Sequence, residues 1–339
     1  MYRIAIVACF ALFGAVLFQL LHVPIPWLLG SIVAVMLAQF RFEHLMEWPT
    51  ILRNTGLVIL GVAIGQQFDI SILNNAGKIL LAIVFVNAVL LLFSVLLAYF
   101  TSKWTGLTMK TSITSSVPGG LSQLVLFAEE ENDIPLAVVT YFHVIRVISV
   151  VLLVPFIVSG QVVKEVSIGE GVTLGLLILI FVAAGMIYIG KFIRIPVPHF
   201  LTPMLFTLIL QFTPITTPTM PSELLHLAQL LIGAYIGLLL KRHMLKLPVK
   251  TLVAGVCSAI LLLVITGVTS IVVAKWLQLS FATGFLSTAP GGLDQMGLLA
   301  AAVGADISVV TLFQLVRLLL IFLVVLPLLK WIYRRRKIY

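Results

Sequence analysis

Apolar runs separated by short polar joints follow one another from Ile4 almost to the end of the chain. Of 339 residues, 61% are hydrophobic and only 10% are charged. A water-soluble protein could not cover its surface with so few polar groups, so the solvent of this chain is lipid. The pattern predicts an all-α polytopic membrane protein with no soluble domain.

The polar joints hold the basic residues that give the chain its net charge of +9. Because basic residues in such joints normally set the orientation of membrane spans, we exclude nucleic acid as a partner. The first run, Ile4 to Leu20, meets Pro24-Ile-Pro26 without an Ala-x-Ala cleavage site, which predicts a retained span. Cys9 and Cys257 lie inside apolar runs, so neither a disulfide framework nor a cysteine metal site is expected.

Four spaced motifs occur twice in the same order, which predicts a duplication of the chain. Three recur at one constant offset, and they are Pro24-Ile-Pro26 with Pro196-Val-Pro198, Gly61-x-x-x-Gly65 with Gly233-x-x-x-Gly237, and Pro118-Gly-Gly-Leu-x-Gln123 with Pro290-Gly-Gly-Leu-x-Gln295. The fourth recurs at an offset shorter by a single position, as Val138-Val-Thr140-x-Phe142-x-x-x-Arg146 with Val309-Val-Thr311-x-Phe313-x-x-x-Arg317. We therefore predict one membrane repeat over residues 1–170 and a second over residues 171–339.

Each copy contains six apolar stretches, and the distribution of Lys and Arg indicates how they cross the membrane. If the stretch with Pro-Gly-Gly dips in and returns, each copy has five crossings and the copies are inverted. The loop Lys and Arg then concentrate on one side far more strongly than in a parallel arrangement with six crossings. We predict two inverted repeats, about ten transmembrane helices plus two re-entrant or broken Pro-Gly-Gly segments, and both termini in the cytoplasm.

The two Pro-Gly-Gly segments are the strongest candidates for a binding site. Such a break leaves backbone groups that hydrocarbon cannot satisfy, so it survives only against protein or a wet cavity. A helix starting after each break would aim free N–H groups at an anion, and one arginine per copy would face the same cavity. A kinked helix held by packing is the alternative. The predicted substrate-binding residues are Pro118, Gly119, Gly120, Ser122, Gln123, Thr140, Arg146, Pro290, Gly291, Gly292, Gln295, Thr311 and Arg317.

Two further residues could couple the movement of a solute to a proton or cation. Asp294 has no carboxylate counterpart in the first copy, where Ser122 stands instead. A lone carboxylate in a membrane predicts an ion site, and a structural ion pair with Arg317 is an equal alternative. His143 lies one turn from Arg146 and either relays protons or serves as a hydrogen-bonding partner.

A Ser-x-x-Pro-Gly-Gly-Leu-x-Gln pattern begins at Ser115 and again at Ser287, and a Val-Val-Thr-x-Phe-x-x-x-Arg segment follows each. Over essentially its whole length the chain resembles the duplicated AbrB family of bacterial membrane proteins, which is distinct from the small DNA-binding regulator that shares the name. The resemblance implies a bacterial inner-membrane location. Members are labelled as ammonia monooxygenases or as regulators of gene expression, and the family is grouped with cation-antiporter and anion-transporter folds.

These labels disagree, and the residues distinguish among them. The six histidines are scattered over different segments without ligand spacing, so we predict no metal, cofactor or catalytic residue, and a membrane monooxygenase is disfavoured. The favoured function is a secondary transporter of a small polar or anionic solute, with coupling to a proton or cation left open. The alternative is a membrane scaffold or sensor that regulates gene expression indirectly. The predicted partners are the solute and the lipid bilayer, and a homo-oligomer is compatible with the sequence.

Overall fold

The computed structural model describes residues 2–119, 121–131, 133–158, 171–213 and 217–336. Every regular element in these ranges is a helix, and 82% of the structure is helical, which confirms the predicted all-α class. In chain order the α-helices are α1 (Tyr2–Leu20), α2 (Pro26–Phe42), α3 (Thr50–Gln66), α4 (Ala76–Thr105), α5 (Met109–Ser116), α6 (Leu121–Glu130), α7 (Leu136–Val158), α8 (Leu174–Gly185), α9 (Ile187–Phe192), α10 (Pro198–Leu210), α11 (Ser222–Gly237), α12 (Val249–Leu277), α13 (Phe281–Thr288), α14 (Leu293–Val303), α15 (Ile307–Leu320) and α16 (Leu326–Arg336).

Eight helical segments among the described residues are long and apolar enough to cross a membrane, judged by length and composition. They are Tyr2–Leu20, Pro26–Leu45, Ala76–Thr105, Leu136–Val158, Leu174–Phe192, Ser222–Lys246, Val249–Leu277 and Ile307–Tyr333. Shorter apolar helices accompany them, at Thr50–Gln66, Pro198–Leu210 and Leu293–Val303. The polytopic membrane class is therefore confirmed, whereas the number of crossings and the inversion of the copies stay predictions.

The chain folds into two compact units, and each draws on both sequence copies. Unit 1 contains α1 to α3, α8 to α11 and the segment Gly297–Ser308. Unit 2 contains α4 to α7, α12, α13, the start of α14 up to Met296, and the chain from Val309 onward. The boundary predicted near residue 170 thus divides the copies in sequence, while the compact units are assembled from parts of each.

In unit 1 the two Gly-x-x-x-Gly motifs pack against helices of the opposite copy. A Cβ added at Gly61 would lie 2.5 Å from the carbonyl oxygen of Phe200 in α10. A Cβ added at the equivalent Gly233 would lie 2.9 Å from the carbonyl oxygen of Leu28 in α2. Because Phe200 is the counterpart of Leu28 at the offset that relates the two glycines, the two contacts are reciprocal. Close approach of helix backbones is the packing role that such motifs have in membranes.

A second reciprocal pair joins polar side chains of unit 1. The ring of Trp27 stacks on that of His226 with centroids 5.1 Å apart, and Asn54 Nδ2 lies 3.4 Å from His199 Nε2. At the same offset, His199 is the counterpart of Trp27 and His226 is the counterpart of Asn54. Contacts that exchange the two copies in this way are what a twofold relation produces. The duplication itself stays a prediction.

The middle residues of the two Pro-x-Pro motifs adopt the left-handed backbone conformation. Ile25 has φ of 51° and Val197 has φ of 47°. β-branched residues rarely occupy this region, and holding one there costs about 1–3 kcal/mol. Each residue caps the helix that begins at the following proline, Pro26 or Pro198. The strained turns therefore fix the start of α2 and α10, the two helices that pack against the Gly-x-x-x-Gly motifs.

Candidate functional site

All of the predicted site residues belong to unit 2, where the Pro-Gly-Gly segments interrupt the helices. In the first copy α5 ends at Ser116 and α6 begins at Leu121, and in the second α13 ends at Thr288 and α14 begins at Leu293. The prolines thus lie in the link between two short helices, and a new helix starts three residues after each proline. Outside the described residues are Gly120 and the side chains of Ser122 and Gln123.

Three glycine amide hydrogens of the breaks, all on described residues, are bonded within the chain. Gly119 N donates to the carbonyl of Val117 and Gly291 N to that of Ala289, each at 2.9 Å across the intervening proline. Gly292 N donates to Oε1 of Gln295 at 2.8 Å. The expectation that these amides point free at an anion is therefore not met in this structure, because tight turns and a side-chain cap engage them. The part of these residues in solute binding stays a prediction.

Gln295 and Asp294 belong to the start of α14. With Gly292 as the N-cap, Gln295 is the third helical residue, and its bond to the Gly292 amide is one half of a capping box. Asp294 stands in the first turn, where the helix dipole favours a negative charge. Its side chain is buried, and a Cβ added at Gly292 would lie 2.7 Å from its Oδ1. The carboxylate therefore lies directly against the second break.

Arg146 and Arg317 each bind the backbone of the break in their own copy, and both are buried. Their guanidinium nitrogens donate to the carbonyl oxygens on either side of the proline, Arg146 to Val117 at 3.0 Å and Gly119 at 3.1 Å, and Arg317 to Ala289 at 2.7 Å and Gly291 at 2.9 Å. The acceptors in the two copies are equivalent at the offset that relates Pro118 to Pro290. We call this arrangement, an arginine bonded to the two carbonyl oxygens that flank a proline, an arginine clamp, and it occurs once in each copy. Solute binding by either arginine stays a prediction.

The second clamp is reinforced by a glutamine. Gln314 Nε2 donates to the carbonyl oxygens of Leu286 at 2.8 Å and Ala289 at 3.2 Å, and its Oε1 accepts from Arg317. Its counterpart in the first copy is His143, whose Nδ1 lies 2.9 Å from a carbonyl oxygen of its own helix and whose Nε2 has no partner in the protein. Among the described residues, the second break is therefore held by more side-chain bonds than the first.

Several buried polar atoms of unit 2 have no hydrogen-bond partner in the protein. Ser115 and Ser287 occupy equivalent positions three residues before the prolines, each is 2% exposed, and neither hydroxyl is bonded. The same holds for Oγ1 of Thr311, Nε2 of His143 and Nε of Arg146. A buried group left in this state costs about 1–3 kcal/mol. Each of these atoms therefore calls for a partner that the protein itself does not supply.

The two breaks lie close together within unit 2. A Cβ added at Gly119 would lie 3.2 Å from Cγ2 of Ile321, which is four residues beyond Arg317 and directly follows α15. Val117 shares an apolar cluster with Ile321. Each arginine is bonded to its own break, so Arg146 and Arg317 lie in the same region. The structure therefore brings both breaks and both arginines into one region.

Sequence reasoning left Ser115, Ser287 and Gln314 outside the predicted site. A signal was available, because both serines open the repeated motif and Gln314 occupies the position of His143 in the second copy. Thr311 is buried and Thr140 is half-buried. Within the described ranges, no group of three or more His, Cys, Asp or Glu residues is placed to hold a metal ion.

Comparison with known proteins identifies the family of the chain. The family model described as Transition state regulatory protein AbrB matches residues 27–333, which include both breaks and both arginines. The chain is 30% identical to the protein named "Putative regulator AbrB" of Escherichia coli (strain K12), over 90% of this chain and 89% of that protein. It is 29% identical to protein YhjN of Bacillus subtilis (strain 168), over 93% of this chain and 89% of that protein. The chain therefore belongs to the AbrB family.

Proposed function

We propose that the chain is a secondary transporter that binds a small polar or anionic solute at the two Pro-Gly-Gly breaks of unit 2. The observation that carries the proposal is the set of buried polar atoms without a partner, above all the equivalent hydroxyls of Ser115 and Ser287. Polar groups inside a membrane protein are costly and mark functional sites. Transporters built from repeats place their substrate and ion sites at broken helices of this kind.

The charge of this region favours a solute rich in hydrogen-bond acceptors. Two buried arginines accompany the buried carboxylate of Asp294, which leaves an excess of positive charge. The Nη donors of the arginines bind backbone carbonyls, so the donors available to a ligand include the unbonded Nε of Arg146 and the hydroxyls of the two serines and Thr311. An anion could accept from these groups without dismantling the clamps. Its charge would also be stabilised by the field of both guanidinium groups.

We assign the coupling role to Asp294. Its carboxylate is buried against the second break and begins the helix that follows it. Protonation of this group, or a cation beside it, would change the charge at the break and therefore the affinity for an anion. In Asp294→Asn we expect solute binding to persist and the dependence of uptake on a proton or cation gradient to disappear. His143, whose Nε2 has no protein partner, is the second candidate for the proton path.

The test uses the paired serines. The purified protein is screened by thermal unfolding against inorganic phosphate, dicarboxylates, tricarboxylates and amino acids. A ligand at one hundred times its Kd stabilises the folded state by about 2.7 kcal/mol. We expect one solute class to stabilise the wild type, and Ser115→Ala and Ser287→Ala to lose this stabilisation.

Ser94→Ala is the matched control for the serine variants. Ser94 is buried in the same unit, but its hydroxyl donates to the carbonyl of Leu90 at 2.6 Å and is not available to a solute. This variant should retain the ligand-dependent stabilisation. Retention of the effect in both Ser115→Ala and Ser287→Ala would place the solute elsewhere. No stabilisation by any solute, together with no flux into proteoliposomes, would refute transport.

The name of the Escherichia coli relative supports a second candidate, a membrane protein that regulates gene expression indirectly. Such a scaffold or sensor would use the same polar region for stability or for detecting a solute. Solute flux in proteoliposomes separates the two candidates, because a scaffold gives none in any variant. In either case we place the protein in the bacterial inner membrane with both termini in the cytoplasm.

A further inference from the structure

A groove of about 410 Å³ lies in unit 2 beside α6 and the last helix, by which we mean the continuous helical stretch 307–336 that includes α15 and α16. Its apolar lining consists of Phe127, Phe322, Leu323, Leu326 and Pro327. Its charged lining is an ion pair in which Lys330 Nζ lies 2.5 Å from Oε2 of Glu130. An apolar wall with opposite charges at one place suits an amphiphilic ligand.

The groove occurs where the last helix departs from α geometry. Pro327 has no amide hydrogen to give to the carbonyl of Leu323, four residues earlier. The chain forms a π-helical segment, Ile321–Val325, between α15 and α16. Phe322 and Leu323 lie on this segment and are 51% and 65% exposed. Single π-helical turns of this kind occur frequently at functional sites.

The groove has a polar end and an apolar end along the axis of the last helix. Lys330 is followed by the exposed Trp331 and then by the basic run Arg334-Arg-Arg336. Tryptophan and basic residues concentrate where a membrane meets water. From Lys330 back to Phe322 the helix extends roughly 12 Å at 1.5 Å per residue. This order would place the charged pair at the headgroup level and the apolar wall at the depth of the acyl chains.

We propose that this groove binds a zwitterionic phospholipid of the phosphatidylethanolamine type. The lipid phosphate accepts from Lys330, the ammonium group pairs with Glu130, and one acyl chain lies along Phe322, Leu323 and Pro327. Because Lys330 and Glu130 cancel each other's charge, an anionic headgroup gains no net attraction from the pair and leaves Glu130 unpaired. A zwitterion supplies a partner for both groups. The inference is independent of any solute at the breaks.

The experiment measures lipid retention by the full-length protein in detergent. The delipidated protein is titrated with phosphatidylethanolamine or phosphatidylglycerol, and bound lipid is counted by native mass spectrometry. We expect saturable retention of one phosphatidylethanolamine. Leu323→Trp, which fills the groove from an exposed position, should abolish this retention. Leu328→Trp is the control, because Leu328 is 50% exposed on the same helix and does not line the groove.

The charged pair tests the headgroup assignment separately. Lys330→Gln removes a charged donor and should weaken phosphatidylethanolamine binding about tenfold. Glu130→Gln should remove the preference for phosphatidylethanolamine over phosphatidylglycerol. Equal retention of the two lipids by the wild type, or a preference for phosphatidylglycerol, would overturn the zwitterion assignment. Retention of the lipid by Leu323→Trp would overturn the site itself.

Discussion

Replacing Arg317 by Gln tests whether the buried arginines stabilise the backbone of the breaks or bind a solute. The Nη atoms of Arg317 donate to Ala289 at 2.7 Å and to Gly291 at 2.9 Å. A hydrogen bond from a charged donor contributes about 1.5–3 kcal/mol, so the loss of two costs about 3–6 kcal/mol. Relief of like-charge repulsion with Arg146, which lies in the same region, offsets part of this loss. We expect the free energy of unfolding to fall by about 2–4 kcal/mol.

The first clamp predicts a graded series. Arg146 makes the corresponding bonds at 3.0 and 3.1 Å, and His143 stands in the place of Gln314, so Arg146→Gln should cost less than Arg317→Gln. Arg317→Lys should fall between wild type and Arg317→Gln, because an ammonium group keeps the charge but cannot span both carbonyls as the planar guanidinium does. The measurement is reversible unfolding in mixed micelles by SDS titration, followed by circular dichroism.

An exposed lysine of the same unit provides the control for these arginine variants. Lys103, near the end of α4, is exposed and its Nζ lies 4.7 Å from the ring centroid of Tyr99, so Lys103→Gln should lower the free energy of unfolding by at most about 1 kcal/mol. The clamp reasoning fails if Arg317→Gln is as stable as Lys103→Gln. If Arg317→Gln is as stable as this control but is no longer stabilised by a solute, the guanidinium group binds the ligand and does not stabilise the backbone of the break.

Four further substitutions, two of them controls, test the packing and the helix start. Gly61→Ala should lower the free energy of unfolding by about 1–3 kcal/mol, because its Cβ would lie 2.5 Å from the carbonyl oxygen of Phe200. Gly77→Ala, with nothing within 4 Å of its added Cβ, should raise it by up to about 1 kcal/mol, and SDS unfolding that ranks the two alike would contradict the proposed contact. Gln295→Leu should cost about 1 kcal/mol because the Gly292 amide loses its acceptor, whereas Gln295→Glu should stay near wild type in the same assay.

The interruptions of the helices could be predicted from the sequence because proline and glycine act on the backbone locally. Pro118 and Pro290 remove a donor wherever the rest of the chain lies, so a break at each was foreseeable. The acceptors of the arginine hydrogen bonds could not be predicted from the sequence. An anion and a carbonyl oxygen far earlier in the chain are both suitable acceptors, and only the tertiary position of Arg146 and Arg317 decides between them.

The Pro-x-Pro turns of unit 1 show that local sequence preference can also point away from the observed backbone conformation. Ile25 and Val197 are β-branched, and their local preference is against the left-handed conformation that both adopt. The repetition of Pro-x-Pro indicated that the position is special but gave no backbone angle. Likewise, the serines at 115 and 287 were visible in the repeated motif, whereas their lack of a partner depends on every helix packed around them.

The reciprocal packing of the glycine motifs has a consequence for the synthesis of the protein. Gly61 in α3 contacts Phe200 in α10, a residue made about 140 positions later. At 5–20 residues per second, roughly 7–28 s pass before that partner emerges from the ribosome. Until then the glycine face of α3 is open to lipid, to an insertase or to another nascent chain. A protein truncated before α10 would present this face permanently, and it would favour pairing with a second truncated copy.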